Sequence, residues 1–172
     1  MTENFNISKA KVNDLETVVG LYRDARLNMD RLGIHQWTSE YPRSDQALKD
    51  LQSGCLYKLT KDAQSLAVIS INEEQDPAYK NIDWQFDDSK VLVIHRLVVH
   101  PNYEGQGHAQ SLMDFAENYA LENNYTSIRL DAYSANPRSQ NFYLKRAYHI
   151  RGELFFPGRK EAFYAMEKTL LS

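Results

Sequence analysis

Val98-Val99-His100-Pro101-Asn102-Tyr103-Glu104-Gly105-Gln106-Gly107-His108-Ala109 is the stretch on which the reading turns. It follows a strongly apolar segment, Val91 to Val99, and leads into a segment with helical spacing. Two of the seven glycines stand here, one residue apart. Glycine lets the backbone turn tightly and approach a ligand closely. The first amides of a helix have no internal partners, and the helix dipole adds partial positive charge at that end. A strand, a glycine-rich turn and a helix start together make a cradle for phosphate or diphosphate. From the glycines alone, the same turn also reads as a tight strand-to-helix connection without a ligand. The dinucleotide fingerprint Gly-x-Gly-x-x-Gly is not met, because Gln110 stands in its last position, and no Gly-Lys-Ser/Thr completes a Walker loop.

Working outward, Val91 to Val99 is apolar except for His95 and Arg96, which predicts a central strand buried on both faces. Ala109 to Asn123 reads as a helix with Leu112, Ala116, Tyr119 and Ala120 on one face, and Thr126 to Tyr133 alternates as a strand. Asn136-Pro137 opens a further helix, with Asn as N-cap and Pro in the first turn. Strands near Tyr148 to Leu154 and Ala162 to Thr169 close the chain. Upstream, Asn4 to Lys9 alternates as a first strand. Asn13 with Glu16 has capping-box spacing before a helix that Gly33 ends. Ser44 is expected to cap a short helix that Gly54 stops. Cys55 to Thr60 and Ser65 to Asn72 form a hairpin around Lys61-Asp62-Ala63-Gln64. Asn72 to Lys90 is a long polar connection anchored by Trp84 and Phe86. The order β-α-α-β-β-β-α-β-α-β-β predicts an α/β fold, a mixed central sheet with helices on both faces.

Composition bounds the function. The 172 residues read as a single domain, with 42% hydrophobic and 25% charged residues. The formal net charge of −3 argues against nucleic-acid binding, which needs a basic face. One cysteine, Cys55, excludes an internal disulfide and a Cys/His zinc cluster, and fits a reducing cytoplasm; no metal is expected. The start, Met1-Thr-Glu-Asn-Phe, lacks the pattern of a secretory signal, and no apolar run is long enough to span a bilayer.

Two segments resemble the signatures of the GCN5-related N-acetyltransferases (GNAT). Arg96-Leu97-Val98-Val99-His100-Pro101 followed by Glu104-Gly105-Gln106-Gly107-His108-Ala109 is similar to that family's acetyl-CoA motif, Arg/Gln-x-x-Gly-x-Gly/Ala after a strand ending in Val-x-Pro. Asn136-Pro-Arg-Ser-Gln-Asn-Phe142-Tyr143-Leu-Lys-Arg-Ala147-Tyr148 is similar to its second signature, Asn-x-x-Ala-x-x-Phe-Tyr-x-x-x-Gly-Phe. Three positions depart: Glu104 replaces Arg or Gln, Ser139 replaces Ala, and Ala147-Tyr148 replaces Gly-Phe. A carboxylate at 104 is unfavourable beside a diphosphate unless it turns to solvent.

The resemblance implies a GNAT-like single domain whose central strands splay to admit the pantetheine arm of acetyl-CoA. Residues Glu104, Gly105, Gln106, Gly107, His108 and Ala109 would hold the diphosphate. Main-chain groups of Leu97 and Val99 would pair with the arm, an amide near Val98 or Val99 would polarise the acetyl carbonyl, and Asn136 would bond the arm or simply cap its helix. Tyr143 resembles the general acid that protonates the departing thiolate. His95 is the candidate base, with Asp131 and Glu73 as carboxylate alternatives. Trp37, Tyr41 and Trp84 are candidates for the acceptor wall. The implied activity is acetyl transfer to a primary amine, a small molecule or a peptide terminus, by direct attack in a ternary complex. A catalytically weak CoA-binding module is the alternative. The implied state is a monomer or homodimer.

Overall fold

A computed structural model describes residues 3–86 and 90–170; part of the long connection predicted over residues 72–90 thus lies outside the described residues. The elements follow the predicted order: β1 (Phe5–Lys9), α1 (Leu15–Arg31), α2 (Ser44–Ser53), β2 (Leu56–Lys61), β3 (Gln64–Asn72), β4 (Val91–Val99), α3 (His108–Glu122), β5 (Ser127–Tyr133), α4 (Pro137–Lys145), β6 (His149–Leu154) and β7 (Phe163–Thr169). Hydrogen bonding orders the strands β1-β2-β3-β4-β5-β7-β6 in one mixed sheet. The chain forms two compact units, one from residues 1–71 with 95–116, the other from 72–94 with 117–172.

In the first unit, β1 and β2 pair antiparallel from Phe5↔Lys61 to Lys9↔Tyr57, and β2 turns into β3 through Asp62-Ala63. Both turn residues have positive φ, 49° and 66°, as a two-residue hairpin that follows strand twist demands. Val18, Leu21 and Tyr22 of α1 and Ala47 and Leu51 of α2 form a core with Trp37, Leu56, Val68 and Val98. The spacing of the α1 residues, three to four apart, is what gives the helix one apolar face.

The second unit is built on β5. It pairs in parallel with β4 from Val91↔Ser127 to Val93↔Arg129, and antiparallel with β7 along its whole length, Ser127↔Thr169 to Tyr133↔Phe163. Ile128, Leu130 and Met166 are fully buried. The β4–β5 ladder therefore covers three residue pairs, whereas β4 runs on to Val99 and β5 to Tyr133.

Two predicted caps differ. Asn13 does not cap α1; residues 12–14 form a 3-10 turn, and Asp14 accepts from the Lys11 amide at 2.8 Å. Asp14 stands at the N-cap of α1, but its side chain goes to Lys11 and to the Lys58 ammonium, 3.0 Å away, and bonds no amide of that helix. Ser44 lies inside the first turn of α2, where the Gln46 amide donates to Asp45 Oδ1 at 2.9 Å. An ionised acceptor at a helix start gains from the dipole, which a hydroxyl does not.

Candidate active site

In the first unit the strand-to-helix connection has the geometry of an anion cradle. Pro101–Tyr103 form a 3-10 turn, and Gly105 and Gly107 follow with φ of 74° and 85°. Those values are open to glycine and costly to other residues. A β-carbon at either glycine would meet nothing within 4 Å, so the space over the turn is open. Ser111 donates its amide to the Gly107 carbonyl at 3.0 Å, closing the first turn of α3. The amides of residues 105–109 precede that bond and have no acceptor among the described residues. A cluster of exposed donors at a helix start suits a diphosphate.

The side chains around the cradle differ in role. His108 is 6% exposed and packs its ring 5.3 Å from Phe5, so only its main chain is available to a ligand in the open turn. Glu104 and Gln106 are exposed, which satisfies the condition set for a carboxylate at position 104. His95, Leu97 and Val99 are half-buried on β4, while Val98 is in the core.

Arg96, beside His95, has φ of 47° within β4. Its Nε and Nη2 donate to one oxygen of Asp50 on α2, at 2.9 and 2.7 Å, and Nη1 donates to the Tyr41 hydroxyl at 2.7 Å. Ser70 and Gln46 also donate to the Asp50 carboxylate, at 2.9 and 3.0 Å. Burial opposes the Arg96 charge, but Tyr41 and Asp50 outweigh it and raise its pKa. A buried pair of this kind is costly to break because one charge would be left uncompensated. This network ties the segment carrying Tyr41 to β4. Asp50 was missed from sequence: an arginine in an apolar strand signals a buried partner but does not say which acid.

Trp37 and Tyr41 lie in the same unit. Trp37 is buried, with its ring 5.8 Å from Tyr22 in an edge contact, whereas Tyr41 is half-buried. Cys55 is buried and its thiol donates to the Asp50 carbonyl at 3.6 Å.

The second unit holds Trp84, Asn136 and Tyr143. Trp84 donates its indole N–H to the Tyr79 carbonyl at 2.8 Å, and the Arg129 guanidinium lies 4.2 Å over its ring. The structure thus places it in the core, where Arg129 also donates to Gln75 at 2.7 Å and to the Phe86 carbonyl. Asn136 caps α4: its Oδ1 accepts from the Ser139 amide at 3.4 Å, and Pro137 occupies the first turn as predicted. Tyr143 projects from α4 with Phe142 and Tyr148 rings 5.2 and 5.8 Å away. Burial, and secondarily the Asp131 carboxylate, push its phenol above the usual tyrosine range. Asp131 accepts from the Tyr79 hydroxyl at 2.7 Å, and Glu73 from the Tyr125 hydroxyl at 2.8 Å.

Residues 21–148 match the model of the acetyltransferase (GNAT) family. The chain belongs to that family of acetyltransferases. It is similar to the uncharacterized N-acetyltransferase YesJ of Bacillus subtilis, 24% identical over 155 residues that cover 88% of this chain and 86% of the relative. Among solved structures it resembles a GNAT-family acetyltransferase from Streptococcus agalactiae, with a TM-score of 0.82 at 20% identity over 98% of this chain and 96% of that one. It also resembles the PaiA N-acetyltransferase of Thermoplasma acidophilum in complex with coenzyme A, with a TM-score of 0.72 at 18% identity over 96% and 99%. No helix among the described residues is long and apolar enough to cross a membrane, and none of their His, Cys, Asp and Glu side chains form a group that could hold a metal.

Proposed function

We propose that the protein transfers the acetyl group of acetyl-CoA to the primary amine of a small molecule by direct attack. The observation that carries this reading is the run of unpartnered amides at residues 105–109 behind two glycines with positive φ. Acetyl-CoA supplies an activated thioester, and the cradle binds its diphosphate through main-chain N–H groups. Leu97 and Val99 offer main-chain partners to the pantetheine arm, and Asn136 adds its side-chain amide. The short β4–β5 ladder supports that assignment, since β4 continues past Val93 to present Leu97 and Val99.

The reaction forms a C–N bond as the C–S bond breaks. A main-chain amide at Val98 or Val99 stabilises the charge that develops on the acetyl oxygen. Tyr143 delivers its proton to the sulfur as the thiolate leaves. His95 receives the proton that the amine gives up. Asp131 and Glu73, whose carboxylates accept tyrosine hydroxyls, are the alternatives. Tyr41 contributes to the acceptor wall, with Trp37 supporting it from the core of the same unit.

The test is a panel of primary amines with acetyl-CoA, following free thiol release, beside direct titration of CoA binding. Tyr143→Phe is expected to lower turnover about tenfold or more with CoA affinity and melting temperature unchanged. Equal turnover in the variant would remove the acid. CoA binding without transfer to any amine would favour the regulatory module instead.

A further inference from the structure

Three turns in this chain have a capping side chain immediately before a proline. Asp76 Oδ1 accepts from the Ala78 amide at 2.9 Å ahead of Pro77, and Asn136 Oδ1 accepts from Ser139 ahead of Pro137. At the third, ahead of Pro101, the acceptor is an imidazole: His100 Nδ1 takes the Asn102 amide at 3.1 Å. Asp and Asn are ordinary caps; histidine is not. Of the three acceptors, only the imidazole can be blocked by a proton close to neutral pH.

The other ring nitrogen is engaged as well. Nε2 of His100 lies 3.2 Å from Asp24 Oδ2 on α1. For Nδ1 to accept, the ring proton must sit on Nε2, where it donates to Asp24; the two contacts together specify one neutral tautomer. The ring also packs 5.6 Å from Tyr103, whose hydroxyl accepts from Gln64 Nε2 at 3.0 Å, and the His100 amide donates to Leu66 of β3 at 2.9 Å. Asp24 is itself 3.3 Å from the Arg23 guanidinium. Only the neutral ring, with Nδ1 free of hydrogen, can cap the turn.

We propose that His100 is a proton-sensitive positioning residue of the acetyl-CoA site: neutral, it caps the turn over residues 101–103 that leads into the cradle, and protonated, it releases that turn. The inference rests on the diphosphate-binding role given above to residues 105–109. Protonation places a hydrogen on Nδ1, which then faces the Asn102 N–H as donor against donor. The cap opens, the following glycine turn loses its anchor, and the amides of residues 105–109 no longer converge.

The experiment is CoA titration between about pH 8 and about pH 5.5, the range in which histidine changes charge, on the wild type, His100→Asn, His100→Leu and Asp24→Asn. The amide shift of Asn102 is followed by NMR in the same samples. The wild type is expected to bind CoA about fivefold more weakly at the acid end, the loss of one cap. His100→Asn keeps an acceptor that does not titrate, so its affinity should show only the pH dependence of the ligand. His100→Leu should be weak at both ends. Asp24→Asn keeps an oxygen acceptor for Nε2–H and leaves the cap in place, so its affinity at the alkaline end should match the wild type. A wild-type profile reproduced by His100→Asn, or an Asn102 amide that ignores pH, overturns the proposal. Absence of CoA binding at the alkaline end overturns the functional reading, and this role with it; the Asn102 shift then still reports separately whether the cap titrates.

Discussion

The turns that open α3 and α4 begin alike and are finished differently. Each places a capping side chain before a proline, His100 and Asn136, and each leads from a strand into a helix. The α4 turn closes on itself. Asn136 accepts from Ser139, the Ser139 hydroxyl returns to the Asn136 carbonyl at 3.1 Å, and Gln140 donates to the Tyr133 and Ser134 carbonyls at 3.2 and 2.5 Å. The α3 turn inserts two glycines and leaves its amides turned out of the fold. A turn that spends its donors internally is a scaffold, and one that leaves them open at a helix start suits an anion. That difference separates the proposed binding element from the element that carries Tyr143.

Filling the open turn should break the contrast most strongly. Gly107→Ala forces a methyl-bearing residue to φ of 85° and puts that methyl in the open space over the cradle. The conformation costs about 1–2 kcal/mol. CoA affinity, measured by calorimetry, should fall by about tenfold or more, because strain and obstruction act together. Full affinity in this variant would show that the glycines only make a turn.

The two turns also differ in how openly they could be read. Element order followed from apolar periodicity and from Gly33, Gly54 and Pro137, whose backbone preferences are local. The open turn before α3 was legible for the same reason: its glycines and the helix start are both visible in sequence. Asp50 with Arg96, and Asp24 with His100, were not legible, since they join residues 46 and 76 positions apart. Trp37 and Trp84 illustrate the same limit. An aromatic side chain fits a substrate wall or a core equally well by type, and long-range packing placed both inside. The caps expected at Asn13 and Ser44 miss by one residue: the N-caps fall at Asp14 and Arg43, and neither side chain caps its helix.

Asn136 sharpens the comparison at the closed turn, where it has been given two jobs. Asn136→Ala removes the cap, and urea denaturation should show a loss of about 1 kcal/mol. Asn136→Asp keeps an oxygen acceptor for Ser139 but loses the amide donor. Its stability should match the wild type, while the KM for acetyl-CoA rises about threefold, the worth of one modest hydrogen bond. An unchanged KM would confine Asn136 to capping and make the α4 turn wholly structural.

The smallest effect concerns how α4 ends. Every helix here finishes in the same double-bonded motif. Gly33 donates to Asp30 and Ile34 to Met29; Gly54 donates to Leu51 and Cys55 to Asp50; Asn124 donates to Leu121 and Tyr125 to Ala120; Ala147 donates to Leu144 and Tyr148 to Tyr143. The motif needs a left-handed residue at its third position, which glycine supplies freely and asparagine with little cost. Positions 33, 54 and 124 obey that rule, with φ of 77°, 73° and 60°. Ala147, at 69°, does not. The strain is retained at the cap that carries the Tyr148 amide back to Tyr143 and sets their rings 5.8 Å apart. Ala147→Gly relieves the clash of the β-carbon and gives back part of the gain as unfolded-chain entropy, leaving about 0.5–1 kcal/mol of added stability. The urea midpoint should rise with an unchanged m-value, and turnover should stay level, because the bonds that hold the Tyr143 backbone at the end of α4 are main-chain bonds. Lower turnover in a more stable variant would mean that the alanine methyl, rather than the cap, fixes the angle of Tyr143.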